Sequence, residues 1–189
     1  KFRRNLRSIV SQNCRGLKTS TRKSELLGVL RWRHTFAACL QETWRTGVEE
    51  LLEDDWLFIG SAPSSQHGRG SQGTAIVLSP QAATSLDEKH VDLGPRVVAV
   101  RLLTREAGSR ARSKDTLGVF LISAYAPIST ALETEWDGYY DSLSAAIARA
   151  HDGDIVLIGT DANASIGRGS LSGSTRDIRT GAVGPHGLE

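Results

Sequence analysis

Two acidic side chains stand directly behind apolar runs, and their placement is the first sign of chemistry in this sequence. Glu42 comes after Ala37–Leu40 and Gln41, and Asp161 comes after Ile155–Ile158 and Gly159-Thr160. A carboxylate at the edge of a buried strand is costly unless it faces water, a cation or a metal ion. Asn163 stands two residues beyond Asp161. In an extended segment such positions project to the same side, so both can address one ligand. Two acids with amides and no Cys/His cluster suit a hard, oxygen-loving ion such as Mg²⁺. Taken singly, an acid after a strand is more often a turn former or a helix cap.

Strands must position these groups, and the sequence supplies them. Short β-branched and apolar runs occur at Leu6–Val10, Ala37–Leu40, Trp56–Ile59, Thr74–Leu78, Val97–Leu103, Leu117–Ala124 and Ile155–Ile158. Several are apolar throughout, as strands buried on both faces should be. Four small motifs sit where strands run out: Gln12-Asn13-Cys14-Arg15-Gly16-Leu17, Leu40-Gln41-Glu42-Thr43, Tyr125-Ala126-Pro127 and Gly159-Thr160-Asp161-Ala162-Asn163. The spacing predicts one helix capped by Ser20 or Thr21, with Leu26, Leu27 and Leu30 on one face. A second is predicted from Leu132 to Ala150, with a broad stripe through Trp136, Tyr139, Tyr140, Leu143, Ala146, Ile147 and Ala150. Ala107–Lys114 reads as an exposed hairpin tip and Gly167–Gly187 as a long loop. Mixed strands with few helices predict a layered α/β domain over residues 1–189.

Composition narrows the class. Length and apolar content fit one domain. No apolar run approaches a membrane span and none follows the basic start, so the expectation is neither a membrane protein nor a signal-bearing precursor. Cys14 and Cys39 are too few for a disulfide scaffold and lack metal-site spacing. Residues 1–35 hold ten Lys or Arg against one acid, Glu25, whereas residues 36–189 hold thirteen bases and twenty acids. A basic end on a mildly acidic body is compatible with a polyanionic partner such as nucleic acid, and equally with a solvated flank. Methionine is absent, which predicts that the chain is a fragment. The four tryptophans, Trp32, Trp44, Trp56 and Trp136, read as core or staple residues because apolar neighbours flank each.

In their order, the landmarks Asn13 before Gly16-Leu17, Gln41-Glu42-Thr43, Gly73-Thr74-Ala75-Ile76-Val77, Tyr125-Ala126-Pro127 and Asp161-x-Asn163 resemble the endonuclease/exonuclease/phosphatase superfamily, with its deoxyribonuclease I-like fold. Asn163-Ala164-Ser165-Ile166-Gly167 and Gly184-Pro185-His186-Gly187-Leu188 resemble the endonuclease of non-LTR retrotransposons and its craniofacial development protein 2-like relatives. The resemblance runs from residue 6 to the last residue. It implies a four-layer α/β/β/α sandwich, incomplete at the C-terminus, and an Mg²⁺-dependent (or Mn²⁺-dependent) phosphodiester hydrolase that nicks DNA. It implies that Glu42 is the principal metal ligand and that Asn13 orients the metal shell or the phosphate. Tyr125 would donate its hydroxyl to the phosphate, Asp161 would orient or deprotonate the attacking water, and Asn163 would hold a phosphoryl oxygen.

The departures are equally specific. Arg15 stands where many superfamily members carry an acid, and Ile128 stands where Asn often follows Tyr-Ala-Pro. Thr160 lies between Gly159 and Asp161 as if inserted, although Asp-x-Asn survives. None of the histidines, His34, His67, His90, His151 and His186, follows Ser-Asp, so the closing Ser-Asp-His motif of the superfamily is missing. Arg15, Arg96 and the Arg110/Arg112/Lys114 tip are the expected nucleic-acid contacts, through phosphate and without sequence preference. His67-Gly68-Arg69-Gly70 could also line a DNA groove. The expected setting is intracellular and nuclear, with DNA as partner and a reverse transcriptase fused downstream. Two alternatives stay open: a phosphatase or phospholipid phosphodiesterase of the same superfamily, and a catalytically incomplete remnant.

Overall fold

The computed structural model describes residues 8–45, 49–61, 73–87, 91–103 and 118–163. The expectations for Ala107–Lys114, with Arg110, Arg112 and Lys114, for His67–Gly70 and for Gly167–Gly187 lie outside the described residues. In chain order the elements are β1 (Ser8–Asn13), α1 (Ser20–Trp32), β2 (Thr35–Gln41), β3 (Glu49–Leu51), β4 (Leu57–Gly60), β5 (Ala75–Leu78), α2 (Pro80–Ala83), β6 (Val91–Asp92), β7 (Val97–Leu103), β8 (Gly118–Tyr125), α3 (Glu133–Ile147) and β9 (Ile155–Asp161). A 3₁₀ turn at Glu53–Asp55 precedes β4. The N-cap of α1 is Thr19, whose hydroxyl accepts from the Arg22 N–H, one residue before Ser20 and two before Thr21, the expected caps. Ser79 caps α2 and Pro80 fills its first turn, where the missing N–H costs nothing. No described helix is long and apolar enough to cross a membrane.

Two sheets result, ordered β1-β2-β5-β4-β3 and β6-β7-β8-β9. Side chains alternate across each strand and so sort themselves into layers. Ala38, Leu40, Phe58 and Val77 face outward from the first sheet and bury Leu26, Leu27 and Leu30 of α1. Cys39, Ile59, Ile76 and Leu78 face inward and meet Val98, Val100, Leu102 and Leu121 of the second sheet. The outer face of that sheet, with Ala99, Phe120, Ile122 and Ala124, carries Trp136, Tyr139 and Ala146 of α3. The layers are therefore helix, sheet, sheet, helix, as expected.

Two strand–helix–strand units bring the ends of four strands to one end of the molecule. β1 and β2 run parallel on either side of α1 in sequence, with Asn13 opposite Gln41. β8 and β9 run parallel on either side of α3, with Tyr125 opposite Asp161. In each unit the crossover helix returns the chain so that both strands end on the same side, the arrangement that parallel pairing requires.

Three expectations need correction. The first strand begins at Ser8 and continues through Asn13, beyond the apolar Leu6–Val10 run. Its ladder to β2 extends over the polar Ser11-Gln12-Asn13. β9 is apolar but not covered on both faces: it is the edge of its sheet, and Ile155, Val156, Leu157 and Ile158 are exposed among the described residues. Trp32, at the end of α1, is 78% exposed and packs in no core. By contrast Trp56 and Trp136 are buried, and Trp44 packs so closely over Gly16 that a Cβ there would collide with the indole; the φ of +100° at Gly16 independently favours glycine.

A buried ion pair fixes the start of β9. Arg101 of β7 donates to Asp154 through Nε (2.7 Å) and Nη2 (2.8 Å), and to Asp87 through Nη1 (2.6 Å). Asp154 also accepts from the backbone N–H of Gly118 at 2.8 Å and of His151 at 3.1 Å. The bidentate Arg101 contact, foremost, holds its carboxyl down at about 2.

Candidate active site

Asn13, at the end of β1, is the hub. Its Oδ1 accepts from the Arg15 N–H at 3.1 Å, which turns Nδ2 toward the acids. That single amino group donates to Glu42 Oε1 at 2.7 Å and to Asp161 Oδ2 at 2.8 Å. The following loop is stitched to the chain around Glu42: Cys14 N–H donates to Gln41 O, Gly16 N–H to Glu42 O and Leu17 N–H to Thr43 O, all at 2.7–2.8 Å. Asn13 and Glu42 therefore move as one unit.

Glu42 joins the hub only because its backbone leaves the strand pattern. Gln41 faces the second sheet, so a regular strand would turn Glu42 outward, toward α1. Instead Glu42 takes φ +53°, in the left-handed region that costs a side-chain-bearing residue about 1–2 kcal/mol. Asn163 is also left-handed, at φ +45°.

The second sheet supplies the rest. The Tyr125 hydroxyl donates to Glu42 Oε1 at 3.3 Å. Burial, and next the charge of Glu42, push its phenol above the ordinary 10.0, so it stays a protonated donor through neutral pH. Asp161 Oδ1 accepts from the Asn163 N–H at 3.2 Å, and Asn163 Nδ2 donates to Ala126 O at 2.8 Å, tying the end of β9 to the Tyr-Ala-Pro segment. All five residues expected at the site thus meet at one place. Replacing Tyr125 by Phe keeps the ring and removes the donor. If the site acts on a phosphodiester, the change is expected to lower kcat about 10²-fold with little change in KM, as loss of one charge-stabilising donor does; steady-state kinetics on supercoiled plasmid checks it.

The basic residues divide. Arg15 is exposed beside Asn13, at φ +48°. Arg96 is engaged inside the protein: its guanidinium lies 5.5 Å from the Tyr125 ring centroid, 3.6 Å from Glu135 Oε2 and 3.4 Å from Tyr125 O. Its visible role is to back the tyrosine. Cys14 and Cys39 are buried thiols pushed up to about 12 by desolvation, so neither is a nucleophile at neutral pH. Ile128 is exposed directly after Pro127, and His186 lies outside the described residues.

Sequence reasoning missed a layer beneath these residues, made by Ser11, Gln41, Ser123 and Gly159. The available signal was polarity: Ser123 interrupts an otherwise apolar strand and Gln41 closes the apolar run of β2, whereas Ser11 lies in the polar half of β1 and carries no such signal. Gly159 is required there by space, since a Cβ would fall 2.5 Å from Cys39 Cβ and 2.8 Å from its Sγ. Gly159→Ala is expected to cost about 1–3 kcal/mol by forcing β9 away from β2, read as a lower urea midpoint.

A divalent cation fits this donor set. Glu42 and Asp161 present carboxylate oxygens to one point, whereas Asn13, expected among the metal ligands, turns its Nδ2 donor there and its Oδ1 to the Arg15 N–H, so in this arrangement it orients the two acids and is not itself a ligand. No group of three or more His, Cys, Asp or Glu occurs among the described residues. Mg²⁺ commonly takes only one or two carboxylates and keeps several waters, so a two-acid site suits it better than a softer ion.

Among solved structures, the chain is similar to an AP endonuclease from Leishmania major, with a TM-score of 0.58 and 16% identity. The match covers 84% of this chain and 56% of that one, so the chain spans little more than half the length of that relative. The likeness is one of fold, and the fold is the deoxyribonuclease I-like α/β sandwich. No family profile and no curated protein matches the sequence.

Proposed function

We propose that the domain is a divalent-metal-dependent phosphodiesterase that nicks DNA. The observation that carries this reading is the convergence of Asn13, Glu42, Tyr125, Asp161 and Asn163 from four strands of two sheets. Glu42 would hold Mg²⁺ (or Mn²⁺), with Asn13 orienting its carboxylate through Nδ2, and the ion would supply positive charge to a phosphoryl oxygen and favour ionisation of nearby water. Asp161, fixed by Asn13 and the Asn163 N–H, accepts the proton of the attacking water. Tyr125 donates its hydroxyl to the phosphate as negative charge builds there. Asn163 spends one amide hydrogen on Ala126 O and offers the other to a phosphoryl oxygen.

Three features favour DNA over a phosphomonoester or a lipid. The first 35 residues carry a net charge of +9. Arg15 is exposed beside the hub, where a phosphate backbone would pass. The same sandwich also carries an AP endonuclease. The motif around Asn163-Ala164-Ser165-Ile166-Gly167 favours a non-LTR retrotransposon protein or a host relative, acting in the nucleus and joined to a reverse transcriptase. Arg110, Arg112 and Lys114 are proposed as further phosphate contacts. The test offers supercoiled plasmid, a phosphomonoester and a phosphoinositide to the protein with Mg²⁺. Open-circular plasmid and an untouched monoester are expected; phosphate release without nicking overturns the DNA reading.

A further inference from the structure

Gln41 is 1% exposed and carries a polar carboxamide between two apolar sheets. Its Nε2 lies 3.3 Å from Ser11 Oγ on β1, 3.3 Å from Ser123 Oγ on β8 and 3.2 Å from Gly159 O on β9. The remaining polar atoms close the set: Ser11 Oγ donates to Gln41 Oε1 at 3.4 Å, and Ser123 Oγ donates to Leu40 O at 3.1 Å. A buried amide is costly without partners, and here one side chain reaches all four strands that end at the site.

The register gives this cluster its meaning. Ser11 precedes Asn13 by two residues, Ser123 precedes Tyr125 by two, Gly159 precedes Asp161 by two, and Gln41 immediately precedes Glu42. In a strand, residues two apart share a face and lie about 6.5–7 Å apart. The Gln41 cluster is thus a layer lying one step beneath the converging side chains. Glu42 hangs from the first sheet and Asp161 from the second, and Gln41 and Ser123 form the polar link between the sheets directly beneath these two acids, beside the weaker Cys39 Sγ contact to Ile122 O at 3.5 Å and the Ser61 Oγ bond to Pro95 O at 3.2 Å. Gly159 allows the link to be short: a Cβ there would also sit 3.1 Å from Ser11 Oγ.

We infer that Gln41 is a positioning residue which, through Ser123 and Gly159, sets the separation of Glu42 from Asp161 and so the size of the cation and phosphate site. This rests on the metal-dependent reading above. Gln41 touches neither cation nor phosphate. An apolar side chain of similar length fills the gap but leaves the sheets free to shift, and a shift near 1 Å costs on the order of 10²-fold in rate.

The test compares the unmodified protein with Gln41→Leu and Ser123→Ala. Mn²⁺ binding is followed by electron paramagnetic resonance, nicking by kcat and KM, and folding by thermal unfolding. Gln41→Leu is expected to weaken Mn²⁺ binding at least tenfold and to lower kcat about 10²-fold, with KM for DNA within threefold. Ser123→Ala removes one arm with a smaller cavity and is expected to weaken Mn²⁺ binding about fivefold, which keeps the inference testable if Gln41→Leu does not fold. Folded variants with unchanged Mn²⁺ affinity and kcat overturn the positioning role while leaving the metal reading intact. An unmodified protein that binds no Mn²⁺ and nicks nothing overturns the metal reading, and the positioning role with it.

Discussion

Glu42→Gln is expected to lower Mg²⁺-dependent nicking by about 10³-fold or more, and Asp161→Asn by a similar factor. The two losses have different physical origins. Glu42→Gln removes the charge that would hold the cation, while the amide can still accept from Asn13 Nδ2 and Tyr125 OH. Its activity should therefore recover partly at high Mn²⁺. Asp161→Asn keeps an acceptor for the Asn163 N–H but removes the proton acceptor for water, and added metal should not restore it. Plasmid nicking over a Mn²⁺ titration separates the two. Equal recovery of both variants would contradict the division of roles, and full activity of either would remove that residue from the site.

Arg101→Met is expected to destabilise the fold by about 3–5 kcal/mol, because it leaves Asp154 and Asp87 buried without their guanidinium. The pH dependence gives a second signature. In the unmodified protein Asp154 titrates at about 2 in place of 3.8. A depressed carboxyl contributes stability that is complete above the unfolded value and is lost as pH falls through 3.8 toward 2. The amount is about 2 kcal/mol. Without Arg101 that acid-side loss should vanish, so the urea midpoints of the two proteins should converge as pH falls from 5 to 2. A constant gap across that range would contradict the assignment. Since Asp154 opens β9, the variant should also lose nicking activity before it unfolds globally.

Much of this was written in local sequence. Strict apolar character marked β2 and β5, and each is buried along its whole length. The 3.6-residue stripes marked α1 and α3 to within a few residues. The candidate site was legible as a convergence of side chains because its residues terminate strands, so Glu42 and Asp161 stood out against what preceded them. Other features depend on distant partners. Arg101 lies in the middle of an apolar strand, and nothing nearby announces Asp154, 53 positions on. The polar end of β1 forms a ladder because β2 offers one, not because of intrinsic strand preference. The exposure of β9 follows from its edge position, which an apolar run cannot reveal. Gln41 read as a motif letter, and only the inter-sheet geometry gives it a task.

We propose that the residues gathered around Asn13 form one metal-dependent phosphodiesterase centre. Its most direct test is incubation of supercoiled plasmid with the protein in Mg²⁺ and, in parallel, in EDTA. Open-circular product is expected in Mg²⁺, none in EDTA, and recovery when Mg²⁺ is added back in excess. No product under either condition, or equal product in both, would contradict it.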